Sequence, residues 1–231
     1  MTVNVAIAQI NSTVGNLAGN QRRIFEFVQR AAALGADVVV TPELSLVGYP
    51  PEDLLLRDSF YAQSHQAVLA LAAEMAQFRG VHVVIGVPIL QNGQRFNAAL
   101  VLADGVIKGS YFKAELPNDT VFDEKRYFAA GTEACVFDVK GVRFGLNICE
   151  DTWYPRAPAR AKAAGAQVLL VPNGSPYHMN KQHLRQEVMR TNVSAQGLSM
   201  VYANLIGGQD ELIFDGNSFV LDQNGMLQAQ L

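Results

Sequence analysis

Apolar residues along the chain follow two periods. Short runs of aliphatic and β-branched residues read as buried strands, and longer stretches with apolar residues three or four apart read as helices. Residues 3–9 predict a strand. Asn20 to Leu34 predicts a helix, with Ile24, Phe27, Val28, Ala31 and Leu34 on one face and Gly35 as its stop. Val38 to Thr41 is a short buried strand. Ser59 to Arg79 predicts a long helix with Val68, Leu71, Ala72 and Met75 inward, ended by Gly80. Val81 to Val87 predicts a strand, and Phe96 to Ala103 with Val106 to Phe112 a hairpin closed by Asp104-Gly105. Strands near 134–139 and 142–148 flank Lys140-Gly141. A helix near 156–164 leads to a strand at 167–171, Lys181 to Gln196 is helical, and strands near 199–204, 217–221 and 227–231 complete the set.

Hairpins mixed with strand–helix–strand units imply a mixed α/β sheet covered by helices. Two segments echo each other. Ala33-Leu34-Gly35-Ala36-Asp37-Val38-Val39-Val40-Thr41-Pro42 resembles Ala163-Ala164-Gly165-Ala166-Gln167-Val168-Leu169-Leu170-Val171-Pro172, followed by Glu43 in one copy and Asn173 in the other. Either two pseudo-equivalent α/β layers bring their strand ends to one cleft, or two helix-to-strand loops use Gly-Ala independently. The first reading gives a sandwich of two sheets with helices outside. No linker, low-complexity stretch or charge block divides the chain, so residues 1–231 read as one domain.

Composition narrows the function classes. The chain is 49% hydrophobic and 17% charged, an ordinary globular balance with material for a large core. A formal charge of -3 leaves no basic footprint for nucleic acid. No apolar run reaches the roughly 18 residues of a membrane helix. The start, Met1-Thr2-Val3-Asn4-Val5-Ala6, lacks a basic region and reads as a strand, so no signal peptide is expected and a cytoplasmic location is. Thiols are reduced there, which argues against a Cys135–Cys149 disulfide. Cys135, in an alternating strand pattern, reads as a small core residue. His65, His82, His178 and His183 have no zinc spacing, and no glycine-rich nucleotide loop occurs, so no metal or nucleotide site is expected in this chain.

Three polar residues sit just past apolar strands: Glu43 after Val38–Pro42, Lys113 after Val106–Phe112, and Cys149 after Val142–Ile148. In α/β proteins chemistry gathers at that edge. A neighbouring ammonium and a helix N-terminus would lower the thiol pKa, with Lys113 supplying the first and the turn after Cys149 the second. Glu43 would act as base, then protonate leaving ammonia, then activate water. Lys113 and the backbone N–H of Glu150 would hold the charge developing on a carboxamide oxygen. Taken singly, Glu43 and Lys113 read as solvated residues and Cys149 as a packing residue. Their conjunction at strand ends is what points to catalysis.

Thr41-Pro42-Glu43-Leu44, Lys113-x-x-Leu116 and Asn147-Ile148-Cys149-Glu150-Asp151 resemble the three signatures of the nitrilase, or carbon–nitrogen hydrolase, superfamily. Gly48-Tyr49-Pro50-Pro51-Glu52-Asp53-Leu54-Leu55, Leu116-Pro117-Asn118, Val121 to Phe128 and Asn173-Gly174-Ser175-Pro176-Tyr177 are similar to its glutaminase domains from glutamine-dependent NAD+ synthetases. The resemblance covers nearly the whole chain. It implies an αββα sandwich of the nitrilase type, which often pairs with a second copy as a homo-oligomer, and a catalytic triad of Glu43, Lys113 and Cys149. It places Glu124 as a second glutamate orienting Lys113 and the attacked carbonyl, the other reading being a surface charge. Ser175 and Lys181 match positions that grip the α-carboxylate of L-glutamine, and Trp153 matches an aromatic wall of the pocket, the other reading being a core Trp.

Two departures stand out. Asp119 and Thr120 follow Asn118 where the family has an aromatic lining the glutamine pocket, which leaves the amide substrate open. No Ser-Gly-Gly-x-Asp-Ser loop for ATP pyrophosphate occurs, so the chain resembles the amidase part of a longer enzyme, cut out or encoded alone. No cofactor is implied for this domain. ATP and Mg2+ are implied only for the absent synthetase domain, its partner in cis or in trans. Three functions compete on this basis: a glutaminase feeding ammonia to NAD+ synthesis, a stand-alone amidase for another small carboxamide, and a non-catalytic module that kept the fold.

Overall fold

The computed structural model describes residues 2–231. Its first half is built from β1 (Val5–Ile7), α1 (Leu17–Ala33), β2 (Val38–Val40), α2 (Asp58–Met75), β3 (His82–Gln91), β4 (Gln94–Ala103) and β5 (Val106–Phe112). These strands form one sheet in the order β1-β2-β3-β4-β5. The first three are parallel, and β3-β4-β5 are antiparallel hairpins. The second half contributes β6 (Val136–Val139), β7 (Val142–Leu146), α3 (Arg156–Ala163), β8 (Val168–Asn173), α4 (Lys181–Met189), β9 (Ser199–Asn204), β12 (Phe219–Leu221) and β13 (Leu227–Gln230). They form a sheet in the order β13-β12-β9-β8-β7-β6, with β7, β8 and β9 parallel. Between β9 and β12, β10 (Ile206–Gln209) and β11 (Leu212–Asp215) make a separate hairpin.

Side-chain alternation along the strands builds the layers. In β2, Val38 and Val40 face a core shared with Leu146, Ile148, Leu170 and Val201 of the second sheet. Val39 points the other way, against Ile24, Val28, Val68 and Leu71 of α1 and α2. In β8, Leu170 joins the inter-sheet core while Leu169 and Val171 pack with Ala161 and Met189 of α3 and α4. The result is helix, sheet, sheet, helix, the sandwich expected from the sequence. β2 and β8 are buried on both faces, which is why each reads as an unbroken apolar run.

Element ends differ from the sequence reading for identifiable reasons. Helix α1 starts three residues early because the Asn16 side chain accepts from the Gly19 N–H at 3.1 Å and caps it. Helix α2 ends at Met75 rather than continuing to Arg79. The predicted helix Lys181 to Gln196 is α-helical only to Met189, then widens to a π turn over Arg190–Ser194. That widening lets Arg190 Nε donate to Gly225 O at 2.7 Å and Asn192 Nδ2 to Thr152 O at 3.2 Å while Val193 stays buried. The β10–β11 hairpin was not foreseen, because Gly207-Gly208 interrupts the apolar alternation that marks a strand.

One close backbone approach fixes the turn after β2. A Cβ on Gly86, in β3, would run into Leu44 N and lie 2.8 Å from Glu43 C and Pro42 O. All three obstacles are backbone, so no side chain can rotate away. Gly86→Ala is therefore expected to destabilise the fold by about 1–3 kcal/mol, the cost of overpacking a close contact. Urea denaturation measures this, and an unchanged midpoint would refute the reading.

Candidate active site

Glu43 is carried by a tight turn at the end of β2. Thr41 N–H donates to Val84 O at 3.0 Å, the Thr41 and Ser45 hydroxyls are 2.6 Å apart, and Gly86 N–H donates to Ser45 Oγ at 3.2 Å. Leu44 turns the chain with a φ of 47°. Lys113 is the first residue past β5, held by its N–H to Asn97 O (2.9 Å) and by Gly131 N–H to its carbonyl (2.8 Å). Cys149 lies past β7 and opens a 3-10 helix, Cys149–Trp153, with a φ of 44°. A non-glycine residue at such a φ costs on the order of 1–3 kcal/mol and persists where surrounding bonds hold it, commonly at functional sites.

The first two of these strand ends meet in a buried ion cluster. Lys113 Nζ donates to Glu43 Oε1 at 2.8 Å and to Glu124 Oε1 at 2.7 Å. Glu43 and Lys113 are each 1% exposed and Glu124 6%. Asn97 Nδ2 also donates to Glu43 Oε1 (2.7 Å), and Gly174 N–H donates to Glu43 Oε2 (2.8 Å). Two donors thus occupy Oε1, while Oε2 keeps a lone pair for a further proton. Lys113 keeps one of its three hydrogens free of both carboxylates. Tyr49 donates to Glu124 Oε1 at 3.4 Å. Glu124 Oε2 is buried with no partner among the described residues.

Electrostatics correct one expectation. Burial pushes the Cys149 thiol well above its ordinary pKa, the Glu43 carboxylate adds to the rise, and the Lys113 ammonium offsets only part. The thiol, expected to be acidified, is instead pushed toward its protonated form. Burial works against the Lys113 ammonium, but Glu124 and Glu43 outweigh it and hold its pKa well above the usual lysine value. Burial raises Glu124 to about 7, with Lys113 opposing and Glu43 reinforcing the shift.

The remaining candidates are spread around this centre. Glu150 is half-buried and lines a depression of about 310 Å3 with Ala114, Leu116, Asp119, Lys125 and Tyr154. Lys181 opens α4 beside a separate apolar hollow of about 520 Å3 walled by Phe122, Pro176, Tyr177 and Leu184. Burial lowers its pKa, and it lies within electrostatic reach of Cys149 and Glu150. Ser175 is buried, with its N–H on Asn204 Oδ1 (2.9 Å) and its hydroxyl accepting from Arg185 Nε (3.1 Å). Trp153 is half-buried against the Ala161, Met189 and Val193 cluster of the outer helices.

Several residues were missed. Asn97 is a polar residue inside an apolar strand, a signal that was available. Gly174 acts through its N–H and carries no side-chain signal. Arg185, fully buried, binds Asp215, Ser175 O and Pro176 O, yet sits in a helix whose sequence is mostly polar. The two echoing segments do meet: Glu43 N–H donates to Asn173 O at 3.3 Å across the sheets.

Comparison with known proteins places the chain in a family. The carbon–nitrogen hydrolase family profile matches residues 4–231. The chain is 43% identical over 227 residues to the glutamine-dependent NAD(+) synthetase of Xanthomonas campestris pv. campestris, covering 97% of this chain and 41% of that protein. It therefore spans about two-fifths of the length of such relatives. The structure of glutamine-dependent NAD+ synthetase from Acinetobacter baumannii superposes with a TM-score of 0.91 at 38% identity, over 98% of this chain and 43% of that one. An amidase from Nesterenkonia sp. superposes with a TM-score of 0.90 at 26% identity, over 99% and 86%. A variant of that amidase carries the acetamide moiety of fluoroacetamide covalently on its active-site cysteine. With its αββα layers, its Glu43–Lys113–Glu124 cluster and its cysteine at a strained turn, the chain belongs to the carbon–nitrogen hydrolase family, the nitrilase superfamily.

Proposed function

We propose that this chain is a glutaminase domain: it hydrolyses the side-chain amide of L-glutamine through a Cys149 thioester and supplies the ammonia to a synthetase domain that makes NAD+ from deamido-NAD+. The observation that carries the reading is the buried ammonium held between two carboxylates, within electrostatic reach of an enclosed thiol. Similarity to glutamine-dependent NAD+ synthetases supports the substrate and partner, and the adduct on the Nesterenkonia amidase cysteine supports the nucleophile.

The chemistry follows from the bond pattern. Glu43 Oε2, with its open lone pair, takes the Cys149 proton as sulfur attacks the amide carbon. The free hydrogen of Lys113 and the Glu150 N–H stabilise the resulting oxyanion. One such donor contributes on the order of 10²–10³ in rate. Glu43 returns the proton to the amide nitrogen, the C–N bond breaks, and NH3 leaves. Water then enters, gives its proton to Glu43 and attacks the thioester carbonyl. Glutamate departs and the proton goes back to sulfur. Ser175 and Lys181 hold the α-carboxylate, while Trp153 packs against the outer helices. Ammonia is useful to a partner only before it becomes ammonium, so direct delivery is favoured over release.

Asp119 favours a second reading, an amidase for a different small carboxamide, because an anion stands where related glutaminases have an aromatic. Turnover of glutamine compared with ω-amides and N-carbamoyl compounds separates the two.

Cys149→Ala is expected to reduce ammonia release from glutamine by at least about a thousandfold, since sulfur forms the covalent intermediate. Coupled ammonia detection measures it, and equal rates would exclude the thioester route. The isolated domain is expected to be slow and to accelerate when a synthetase partner is added; full activity alone would contradict the coupling.

Glu124 has a pH signature. Its ordinary value is 4.5 and its folded value about 7, so the folded state binds the extra proton between them. That contribution to stability is complete below the lower value and is lost as pH rises through the upper one. Relative to Glu124→Gln, the wild-type protein is expected to lose unfolding free energy as pH increases across this window. Parallel urea titrations of the two proteins with identical pH slopes would rule this out.

A further inference from the structure

Asp151 has no role in the chemistry described above, yet its carboxylate is fully buried and bonded on all sides. Oδ1 accepts from Ala114 N–H at 2.9 Å and Glu115 N–H at 2.8 Å, the two residues after Lys113. Oδ2 accepts from Ile148 N–H at 2.8 Å, the residue before Cys149, and from the Tyr111 hydroxyl at 2.7 Å, two residues before Lys113. Asp151 N–H returns a bond to Ile148 O at 3.0 Å, closing a reciprocal loop around Cys149. Asn147 Nδ2 donates to Tyr111 Oη at 3.2 Å, which ties the strand before the nucleophile into the same network.

One carboxylate therefore joins the ends of two strands from two different sheets. On one side it brackets the backbone of Lys113. On the other it brackets Cys149, whose φ of 44° is a conformation that needs outside support. A buried carboxylate stranded without donors is costly, so any shift of either strand end is opposed by four bonds at once.

We propose that Asp151 is a positioning residue for amide cleavage: its carboxylate sets the placement of the Cys149 sulfur relative to the Lys113 ammonium and the Glu43 carboxylate. This role rests on the thioester reading for its effect on turnover, but not for its effect on sulfur reactivity. Cys149 lies within electrostatic reach of Glu43, Lys113, Glu150 and Glu124, and of Lys181, Tyr49 and Tyr202. Displacing the turn changes that balance and hence the pH at which the thiol reacts.

Asp151→Asn preserves shape but turns one oxygen into a donor that faces N–H groups. The test uses this variant and Tyr111→Phe, which keeps the carboxylate and its three backbone donors, both on a Cys135→Ser background so that only Cys149 is alkylated. Glutamine kcat is expected to fall about 10–100-fold in Asp151→Asn with KM within about threefold, the pattern of a misplaced catalytic group rather than a lost binding contact. The pH profile of Cys149 alkylation by iodoacetamide is expected to shift in the folded variant, and in Tyr111→Phe to shift in the same direction by less. A variant whose melting temperature drops while kcat per folded molecule and the alkylation profile stay at wild-type values overturns the proposal. Should Asp151→Asn not fold, an unshifted profile in Tyr111→Phe overturns it equally. If the wild-type protein alkylates normally but releases no ammonia from glutamine, the substrate reading fails and the alkylation profiles still decide the role of Asp151.

Discussion

The site is organised by one ammonium placed between two carboxylates out of contact with water. Lys113 reaches Glu43 and Glu124 at hydrogen-bond distance, with Lys113 and Glu43 almost wholly enclosed. Moving each ion out of water costs several kcal/mol, and removing one member of such a set strands the others at a cost of about 3–5 kcal/mol. The cluster therefore does little for net stability and much for geometry. Its members are held in place by Asn97, Gly174 and Tyr49, so their relative positions are fixed in advance. Burial is the main cause that pushes both the Cys149 thiol and the Glu124 carboxyl upward, and the Glu43 carboxylate adds to each rise while Lys113 opposes it.

The two-sheet architecture makes this arrangement possible. Lys113 and Glu43 come from the ends of strands in the first sheet, Cys149 from a strand end in the second, and Gly174 from the end of β8. Glu43 and Asn173 occupy matching positions in the two echoing segments and are joined by a backbone bond between them. The repeated helix–glycine–strand–proline unit is thus a way of aiming two chain segments at one point from opposite layers. Gly86 lets the acidic turn settle on its own sheet, and Arg185 ties the Ser175 loop to α4 and β11.

How far the sequence disclosed all this depended on where the information lies. Buried parallel strands such as Val38–Val40 and Val168–Asn173 are legible because burial on both faces leaves unbroken apolar runs. Glu43, Lys113 and Cys149 are legible because each is a polar or nucleophilic residue standing just past the end of a strand. Glu124 was reached only through family resemblance, since Asp-Glu-Lys-Arg looks like a solvated turn. Gly174 contributes a peptide hydrogen, and any residue supplies one, so no pattern marks it. Arg185 reads as surface because the groups that satisfy it come from Ser175, Pro176 and Asp215, distant in the chain. The direction of the thiol shift was misjudged for a similar reason: the nearby ammonium was visible in the sequence, but the depth of burial that outweighs it is a property of the assembled sandwich.

The enclosure of Cys149 also bears on how the protein ages. Peroxides attack thiolates that solvent can reach, and the sulfenic acid they form is the first step toward irreversible damage. A cysteine that is 4% exposed, with its thiol pushed toward the protonated form, offers neither condition. Cys135, half-buried against the same inter-sheet core and also pushed up by burial, is free as well. Enclosure between the two sheets thus works against both conditions at Cys149 at once.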